Sequence, residues 1–390
     1  MLWKTLLLRS AANLPGELAC LLSPDNRVLA HVRYISVQTD VRGGVELEPG
    51  SEFGVAFKLI LGALTRDCLV GIKFSMSANL PTLLSILQSQ QTLQTLYLRT
   101  ILSTGSLSIG TNLATHGSWV TPTLRNIQKL RITLLESDEN RYEHSAFLLK
   151  NTPRLSSLCF ACESGIMPLL HDPLSKHDAF GGPYTNGETF KTPELIKLQL
   201  KGLNLRTYPA SIFAYIDFSR LHVLSISQCT NIGTFLTALV AAVPQAAVLS
   251  TLELAVYHKP APMDTQAIEA VVKSASALQK LWLDVGSGCA ISVSCLARHQ
   301  NSLRHLALVA SSQSGPPPYY SSSELGKILN QVPNLEDLAI NLPPISLGSV
   351  RFLAAKFKLP AQDEADPDFD EVSSFSESLV CKRLMRRDYC

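Results

Sequence analysis

Lysine and arginine side chains recur at alternating positions inside short Leu-rich segments in the first half of the chain. Ammonium and guanidinium groups at such regular spacing form charge-assisted hydrogen bonds with carboxylates and phosphates. They therefore predict a basic stripe that binds an acidic or phosphorylated peptide. The whole chain of 390 residues carries a formal charge of only +2, so no global field directs it to nucleic acid or to a membrane. The predicted stripe consists of Lys73, Arg99, Lys129, Arg131, Lys197 and Lys201.

Two aromatic side chains occupy equivalent positions in other copies of the segment. Tyr97 and Trp282 are predicted to anchor the partner, because exposed aromatic rings on a rigid surface carry much binding energy. Asp284, with Glu253 and Asp337, predicts that the charge of the surface turns acidic further along the chain. The alternative interpretation is that all of these are merely solvated strand residues.

A pair of cysteines and a pair of histidines lie close together in sequence. Cys159-Phe-Ala-Cys162 is followed by His171 and His177, and thiolate and imidazole are the ligands of tetrahedral zinc. Only eight residues separate Cys162 from His171, whereas a zinc finger has about twelve there. We therefore predict no metal site.

No motif for catalysis is present in the sequence. The chain contains no GxSxG, no GxxxxGK, no HExxH and no Gly-rich dinucleotide turn, the short motifs that would indicate hydrolase, nucleotide or metalloprotease chemistry. We expect neither enzymatic activity nor a cofactor. A Cys-His nucleophile pair stays open, because such partners meet only in three dimensions.

A short phrase, apolar-x-x-apolar-x-apolar, provides the elements that must position these side chains. Its successive copies lie between 24 residues apart (Leu69 to Leu93) and 40 residues apart (Leu155 to Leu195). Two apolar residues at a spacing of two share one face of a strand, and the residues beside them share the other. Eleven copies begin at Val32, Leu69, Leu93, Ile127, Leu155, Leu195, Leu221, Leu249, Leu278, Leu303 and Leu335.

Stretches with helical spacing separate many of the phrases. Phe57, Ile60, Leu61 and Leu64 form one such stretch, and Leu325, Ile328 and Leu329 form another. A strand with a return helix cannot bury its apolar face alone, so neighbouring repeats must stack. The prediction is an α/β solenoid, with a curved parallel sheet inside and helices outside. A compact doubly wound α/β protein is the alternative, and it would need longer buried strands and a Gly-rich first turn.

The phrases resemble the leucine-rich-repeat superfamily, and in particular the irregular repeats of fungal F-box proteins. TPRLSSL, TPELIKL and VPNLEDL head strands in the manner of that group, over residues 28–348. The resemblance implies the substrate-recognition subunit of an SCF-type ubiquitin ligase, with the SCF linker subunit as a second partner. LWKTLLLR near the start is similar to the segment that follows an F-box, which implies that the F-box is truncated or lost.

Three regions are expected. Residues 1–27 are an N-terminal cap or F-box remnant, residues 28–348 are the solenoid with an insertion at 163–191, and residues 349–390 are an acidic linker followed by a short basic helix. The basic stripe and acidic linker permit autoinhibition as a hypothesis. Without a long apolar run, and with nine scattered cysteines that do not form an evident disulfide framework, we expect a cytoplasmic or nuclear protein.

The function expected from the sequence is that of an intracellular protein-binding scaffold. Its target would be a protein, acidic or phosphorylated, and not nucleic acid or a membrane. The substrate receptor of a ubiquitin ligase is the first interpretation, and a leucine-rich-repeat adaptor without a ubiquitin role is the alternative.

Overall fold

The chain forms two compact units, each built of parallel strands and return helices. One unit comprises Met1–Leu203 with Thr207–Arg220, and the other comprises Asn204–Arg206 with Leu221–Cys390. The structure is a computed structural model. It describes residues 5–10, 14–23, 27–39, 52–102, 122–134, 148–149, 151–162, 195–205, 216–242, 248–256, 262–285, 291–309 and 320–340.

The first unit contains seven strands within these described ranges. Their bounds are β1 Thr5–Ser10, β2 Tyr34–Thr39, β3 Gly71–Asn79, β4 Thr95–Leu102, β5 Lys129–Leu134, β6 Ser157–Cys162 and β7 Lys197–Lys201. Its longer helices are α1 Leu14–Leu21, α2 Glu52–Ala63 and α3 Leu80–Ser89, with 3₁₀ turns at Val28–His31 and Phe218–Arg220. Each strand pairs in parallel with the next one in sequence, which is the topology of stacked repeats.

The second unit repeats this plan with five strands in the part of it that the structure describes. They are β8 Val223–Ser227, β9 Thr251–Ala255, β10 Lys280–Asp284, β11 His305–Val309 and β12 Asp337–Ile340. The helices are α4 Ile232–Ala242, α5 Pro262–Ser274 and α6 Ser322–Gln331, with a 3₁₀ helix at Val293–His299. These strands also pair in parallel in chain order. The predicted fold class, an α/β solenoid of the leucine-rich-repeat type, is confirmed.

A shared hydrogen-bond pattern marks the start of nine strands in the described ranges, β3–β7 and β9–β12. The N–H groups of Gln94 and Thr95 both donate to the carbonyl of Val70, and those of Gln128 and Lys129 both donate to the carbonyl of Gln94. The second unit does the same where two successive N–H groups converge on the Ser250 carbonyl. Because the pattern does not involve the connecting segments, repeats of unequal length still align.

The leucines of the phrases form the core between strands and helices. Leu93, Leu96 and Leu98 have at most 1% of their surface exposed, while Thr95 and Tyr97 between them are part-exposed. Leucine is not a strong strand former by itself, and burial on one face of the pleat decides its conformation here. The predicted helical faces are also buried, including Ile60 on α2 and Ile328 on α6.

Two buried polar side chains perform the same task in the two units. The Gln90 carbonyl accepts a hydrogen bond from the Leu69 N–H at 3.0 Å, and its amide donates to the Thr65 carbonyl. In the second unit His299 Nδ1 accepts from the Leu278 N–H at 3.3 Å, while Nε2 donates to the Val272 carbonyl at 2.8 Å. Each side chain thus satisfies the backbone of the preceding repeat, as buried polar groups require.

The N-terminal segment adds a strand to the sheet. Residues 1–27 were expected to be a cap or an F-box remnant, and Thr5–Ser10 is a strand that pairs with β2 over six residues. Leu6 and Leu8 are buried like the leucines of the other strands. The sheet therefore begins before residue 28. The insertion at 163–191 and the region 349–390 lie outside the described residues.

Candidate functional site

The solvent side of strands β1–β7 carries the basic residues that the sequence singled out. We call this surface the basic face, defined by Arg9, Lys73, Lys129, Arg131, Lys197 and Lys201. Each of these residues alternates with buried apolar neighbours along its strand, so all project from the same side of the sheet. Arg99 shares this side. In this unit the strand-face positions within the described ranges hold no aspartate or glutamate.

The strand register places one aromatic ring between two cations. Tyr97 of β4 lies opposite Lys73 of β3 on one side and Arg131 of β5 on the other. Neighbouring strands are about 4.8 Å apart. The structure therefore brings Lys73, Tyr97 and Arg131 together as the repeat spacing predicted.

A cationic cluster surrounds the thiol of Cys159 at the β6 position next to Arg131. Burial raises the pKa of this thiol, while the charges of Arg131, Lys197 and Lys201 act in the opposite direction. Three positive groups are thus close enough to one point to influence its ionisation. Because desolvation prevails, Cys159 remains a thiol at neutral pH and adds no negative charge to the cluster.

The cations of this surface lack acidic partners among the residues that the structure describes. Across the described ranges, no ion pair involves Lys73, Lys129, Arg131, Lys197 or Lys201. Lys73, Lys129, Arg131 and Lys201 are exposed, and Lys197 is part-exposed. Like charges held this close repel one another, and an anionic partner would relieve that repulsion.

Arg99 has a structural bond that its sequence position did not reveal. Its guanidinium Nη1 donates to the carbonyl of Ser75 at 2.9 Å. The β3–β4 register shifts between Lys73 and Ser77, so the Arg99 bond bridges an irregular stretch of the ladder. Arg99 therefore helps to hold β3 against β4, and it is a less suitable probe of binding than Arg131.

An apolar patch that the sequence analysis did not identify adjoins the cations. Tyr34 of β2 and Leu7 of β1 have 40% and 44% of their surface exposed. A Cβ atom on Gly71, the register partner of Tyr34, would lie 2.7 Å and 2.9 Å from two carbons of the Tyr34 ring. The ring therefore rests on the backbone of β3, which only glycine permits. The alternation that gave Tyr97 also gives Tyr34, so the sequence did carry this signal.

On the strand face of the second unit, in contrast to the basic face, charged side chains form pairs with one another. Lys280 Nζ lies 2.7 Å from Glu253 Oε1, and the His305 ring nitrogen donates to Asp337 Oδ2 at 2.5 Å. Trp282 is part-exposed between Lys280 and Asp284. Most of the charged side chains described on this face therefore pair with one another.

Asp284 is less accessible than the sequence indicated. It is only 8% exposed, and its role in partner binding stays a prediction. It is the last residue of β10, and its register partner Ala255 is also buried. Thr133 and Ala161 at the corresponding places on β5 and β6 are buried too. The alternation of exposed and buried residues therefore fails at the fifth position of β5, β6, β9 and β10, although Lys201 at the same position of β7 is exposed.

The cysteines and histidines considered for zinc do not form a set that can be assessed as a site. Cys159 and Cys162 both lie on β6, while His171 and His177 lie outside the described residues. Among the described residues, no group of three or more His, Cys, Asp or Glu side chains could hold a metal ion. Within the same part of the chain, no helix is long and apolar enough to cross a bilayer.

A second titratable cluster lies on the helix side of the second unit. Glu269 accepts hydrogen bonds from the Ser292 N–H at 2.8 Å and from Lys273 at 3.2 Å. Cys295 beside it is buried, and burial raises the pKa of its thiol. Both carboxylate oxygens of Glu269 accept hydrogen bonds, and the bond from the Ser292 N–H joins α5 to the segment that precedes the 3₁₀ helix.

Comparison with known proteins assigns no family to the chain. No protein-family model matches the chain, and no curated protein matches it. Among solved structures, the chain is similar to a Bacteroides fragilis protein determined by a structural genomics consortium. The identity is 13%, the match covers 77% of this chain and 73% of the other, and the TM-score is 0.39.

Proposed function

We propose that this protein is a non-enzymatic binding scaffold whose basic face holds an acidic or phosphorylated segment of another protein. The observation that carries the proposal is the set of cations on β3, β5 and β7 without ion-pair partners in the described part of the chain. Parallel strands fix their backbones, so little ordering entropy is lost when a peptide binds. Each cation can form a charge-assisted hydrogen bond to an oxyanion.

The more specific role is that of a substrate receptor in an SCF-type ubiquitin ligase. This part of the proposal is supported by the resemblance of the strand-heading phrases to those of fungal F-box proteins. In that role the repeats would raise the effective concentration of the target near the transfer machinery, without any chemistry of their own. Co-purification of the full chain with the SCF linker subunit favours this role, and its absence favours an adaptor without a ubiquitin function.

A charge-reversal experiment tests the binding proposal. The probes are fluorescein-labelled 12-residue peptides, one with a block of four phosphoserines, one with four glutamates and one with four lysines. Fluorescence anisotropy of Arg131→Glu/Lys197→Glu should show at least a tenfold loss of affinity for the two acidic peptides. The loss should shrink as salt is raised, because exposed charges are screened.

The matched control carries the same change of charge away from the strand face. Lys58 and Arg66 are exposed on α2 and in the turn that follows it, so Lys58→Glu/Arg66→Glu should bind like the wild type. Equal losses of affinity in both double variants would show that the effect depends on the net charge of the protein and not on the basic face. No binding of the acidic peptides to the wild type would contradict the proposal.

A further inference from the structure

We propose that Leu7 and Tyr34 form an apolar anchor point, so that the basic face recognises a bipartite peptide. The peptide would combine an apolar side chain with an acidic or phosphorylated block several residues away. This inference rests on the proposed function and specifies the partner of the same surface. We call the two residues the anchor patch.

The anchor patch is unusual among the exposed apolar residues. Seven large apolar side chains are exposed in the described ranges, and Leu7 and Tyr34 are the two that lie within strands. The remaining five lie on helices or beside strands: Val55, Leu59, Ile196, Val248 and Met263. An exposed leucine next to an exposed aromatic ring on a rigid sheet is the kind of surface that takes up an apolar side chain.

Strand register brings the two side chains together. Thr5 pairs with Tyr34, and Leu7 pairs with Ser36, so Leu7 and Tyr34 are diagonal neighbours on adjacent strands. Diagonal neighbours are about 7–8 Å apart at Cα, within reach of an aromatic side chain. The buried Leu6, Leu8 and Ile35 below them hold both backbones in place.

Gly71 determines how the Tyr34 ring lies. A side chain at residue 71 would collide with the ring and approach Thr95 Cβ at 3.2 Å. Without that side chain the ring leans over β3 towards β4, where Tyr97 and the cations begin. The absence of a Cβ therefore connects the anchor patch with the charged part of the face.

Sheet geometry predicts the spacing of the peptide. From β2 to β5, which carries Lys129 and Arg131, there are three strand intervals, and from β2 to β7 there are five. At about 4.8 Å per interval, these are roughly 14 and 24 Å. An extended peptide advances about 3.3 Å per residue. The apolar residue and the acidic block should therefore be about four to seven residues apart.

The distribution of charge favours a peptide over a single-stranded nucleic acid. Four of the six cations of the basic face lie on β5 and β7, whereas β2 has none, and β1 and β3 carry one each, Arg9 and Lys73. A nucleic acid has a phosphate at every nucleotide and needs positive charge along its whole track. The concentration of four cations three to five strands away from Tyr34 instead matches a ligand in which the apolar and the anionic groups are separated.

Peptides of designed spacing test the inference. The probes are fluorescein-labelled Gly/Ser peptides with one block of four phosphoserines and a phenylalanine placed one, three, five, seven or nine residues from it, on either side. We expect the peptides with phenylalanine five or seven residues from the block, in one of the two orientations, to bind wild type about five- to tenfold more tightly than the same peptides with Ser in place of Phe.

Variants locate the effect. Tyr34→Ala and Gly71→Ala should remove the advantage of phenylalanine while leaving the affinity of the Ser-containing peptide unchanged. Tyr34→Phe should keep the advantage, and Leu59→Ser on the exposed side of α2 is the matched apolar control. An unchanged thermal midpoint shows that each variant is folded, and Tyr34→Phe reports on the ring even where Gly71→Ala is not folded.

The outcomes separate the two proposals. If the phosphoserine block binds equally at every spacing and with Ser, the anchor patch is refuted and the proposed function stands. If no peptide binds, both proposals fail. Tighter binding of a twelve-nucleotide oligo-dT than of any peptide overturns the inference in favour of nucleic acid.

Discussion

The strand faces of the two units share one backbone plan and use charge in opposite ways. In the second unit Lys280 is paired with Glu253, and His305 with Asp337. In the first unit the cations of the basic face have no ion-pair partners within the described residues. The charges of the second face therefore offset one another, whereas the unpaired cations of the first face can attract an anionic partner.

This difference teaches that the function of a repeat face is determined by which strand-face residues are adjacent, not by composition alone. The charge of the whole chain is close to neutral. Opposite charges lie diagonally across β9 and β10, while like charges accumulate across β5 to β7. Four experiments can break or sharpen the contrast.

The largest effect is expected where the scaffold of the basic face is tightest. Gly202 follows Lys201 with a φ of +67°, and a Cβ there would lie 2.6 Å from the Cys162 carbonyl oxygen. Gly202→Ala should lower the free energy of unfolding by about 3 kcal/mol, through backbone strain and collision. Urea denaturation measures this change. Gly62→Ala on α2, where nothing lies within 4 Å, is the control and should stabilise by about 0.5–1 kcal/mol.

A smaller loss should follow from removing the bond that spans the irregular stretch of β3. Arg99→Ala leaves the Ser75 carbonyl without its guanidinium donor and should cost about 1–2 kcal/mol of unfolding free energy. Lys73→Ala, an exposed cation on the neighbouring strand, should change it by less than about 0.5 kcal/mol. Equal effects in urea titration would mean that Arg99 is a surface residue like Lys73.

A pH-dependent effect should distinguish the helix sides of the two units. Burial lowers the pKa of His299 below its ordinary value of 6.5, and nearby Arg298 adds to the shift. Below pH 6.5 the unfolded chain binds a proton that the folded chain resists, so stability falls as the pH decreases towards the folded pKa. Gln90, which has the same role in the first unit, does not titrate.

Hydrogen exchange can measure that contrast directly. Between pH 7.5 and 5.5, after correction for intrinsic rates, the Leu278 amide should lose protection and the Leu69 amide should lose less. His299→Gln, which copies the side chain of Gln90, should flatten the response at Leu278. A pH response that persists unchanged in His299→Gln would exclude His299 as its source.

The smallest effect concerns the paired charges of the second unit. Lys280 and Glu253 are partly exposed, and such pairs contribute about 0.5–1 kcal/mol. A double-mutant cycle with Lys280→Met and Glu253→Gln should give a coupling energy in this range. A coupling energy of zero would mean that Lys280 and Glu253 do not stabilise each other, and that the two faces do not differ in this respect.

The strands and the helical faces could be predicted from the sequence, because both depend on the burial of leucine. Phrases such as Leu93, Leu96 and Leu98 located eleven strands, and the helical faces followed from the same principle. The first strand was missed because its phrase begins with Trp3, although Leu6 and Leu8 have the expected spacing. The basic residues of the strand face were found because alternation along a strand is strict over most of its length.

Features that depend on relations between repeats were not predictable from the sequence. The Tyr34 ring over Gly71 requires the register of β2 with β3. The bond from Arg99 to Ser75 requires the shift within β3. The burial of Asp284 occurs at the fifth position of β10, where alternation predicts exposure. For Tyr34 and Arg99 the decisive neighbour lies in an adjacent repeat.

The paired donation of two N–H groups to a single carbonyl, at the start of β3–β7 and of β9–β12, has an evolutionary consequence. Because of it, the spacing of side chains across the sheet does not depend on how many residues connect one strand to the next. A connector can therefore gain or lose residues, or be exchanged for another, while the geometry presented to a ligand is conserved. Recognition and loop diversification can then proceed independently in such a protein.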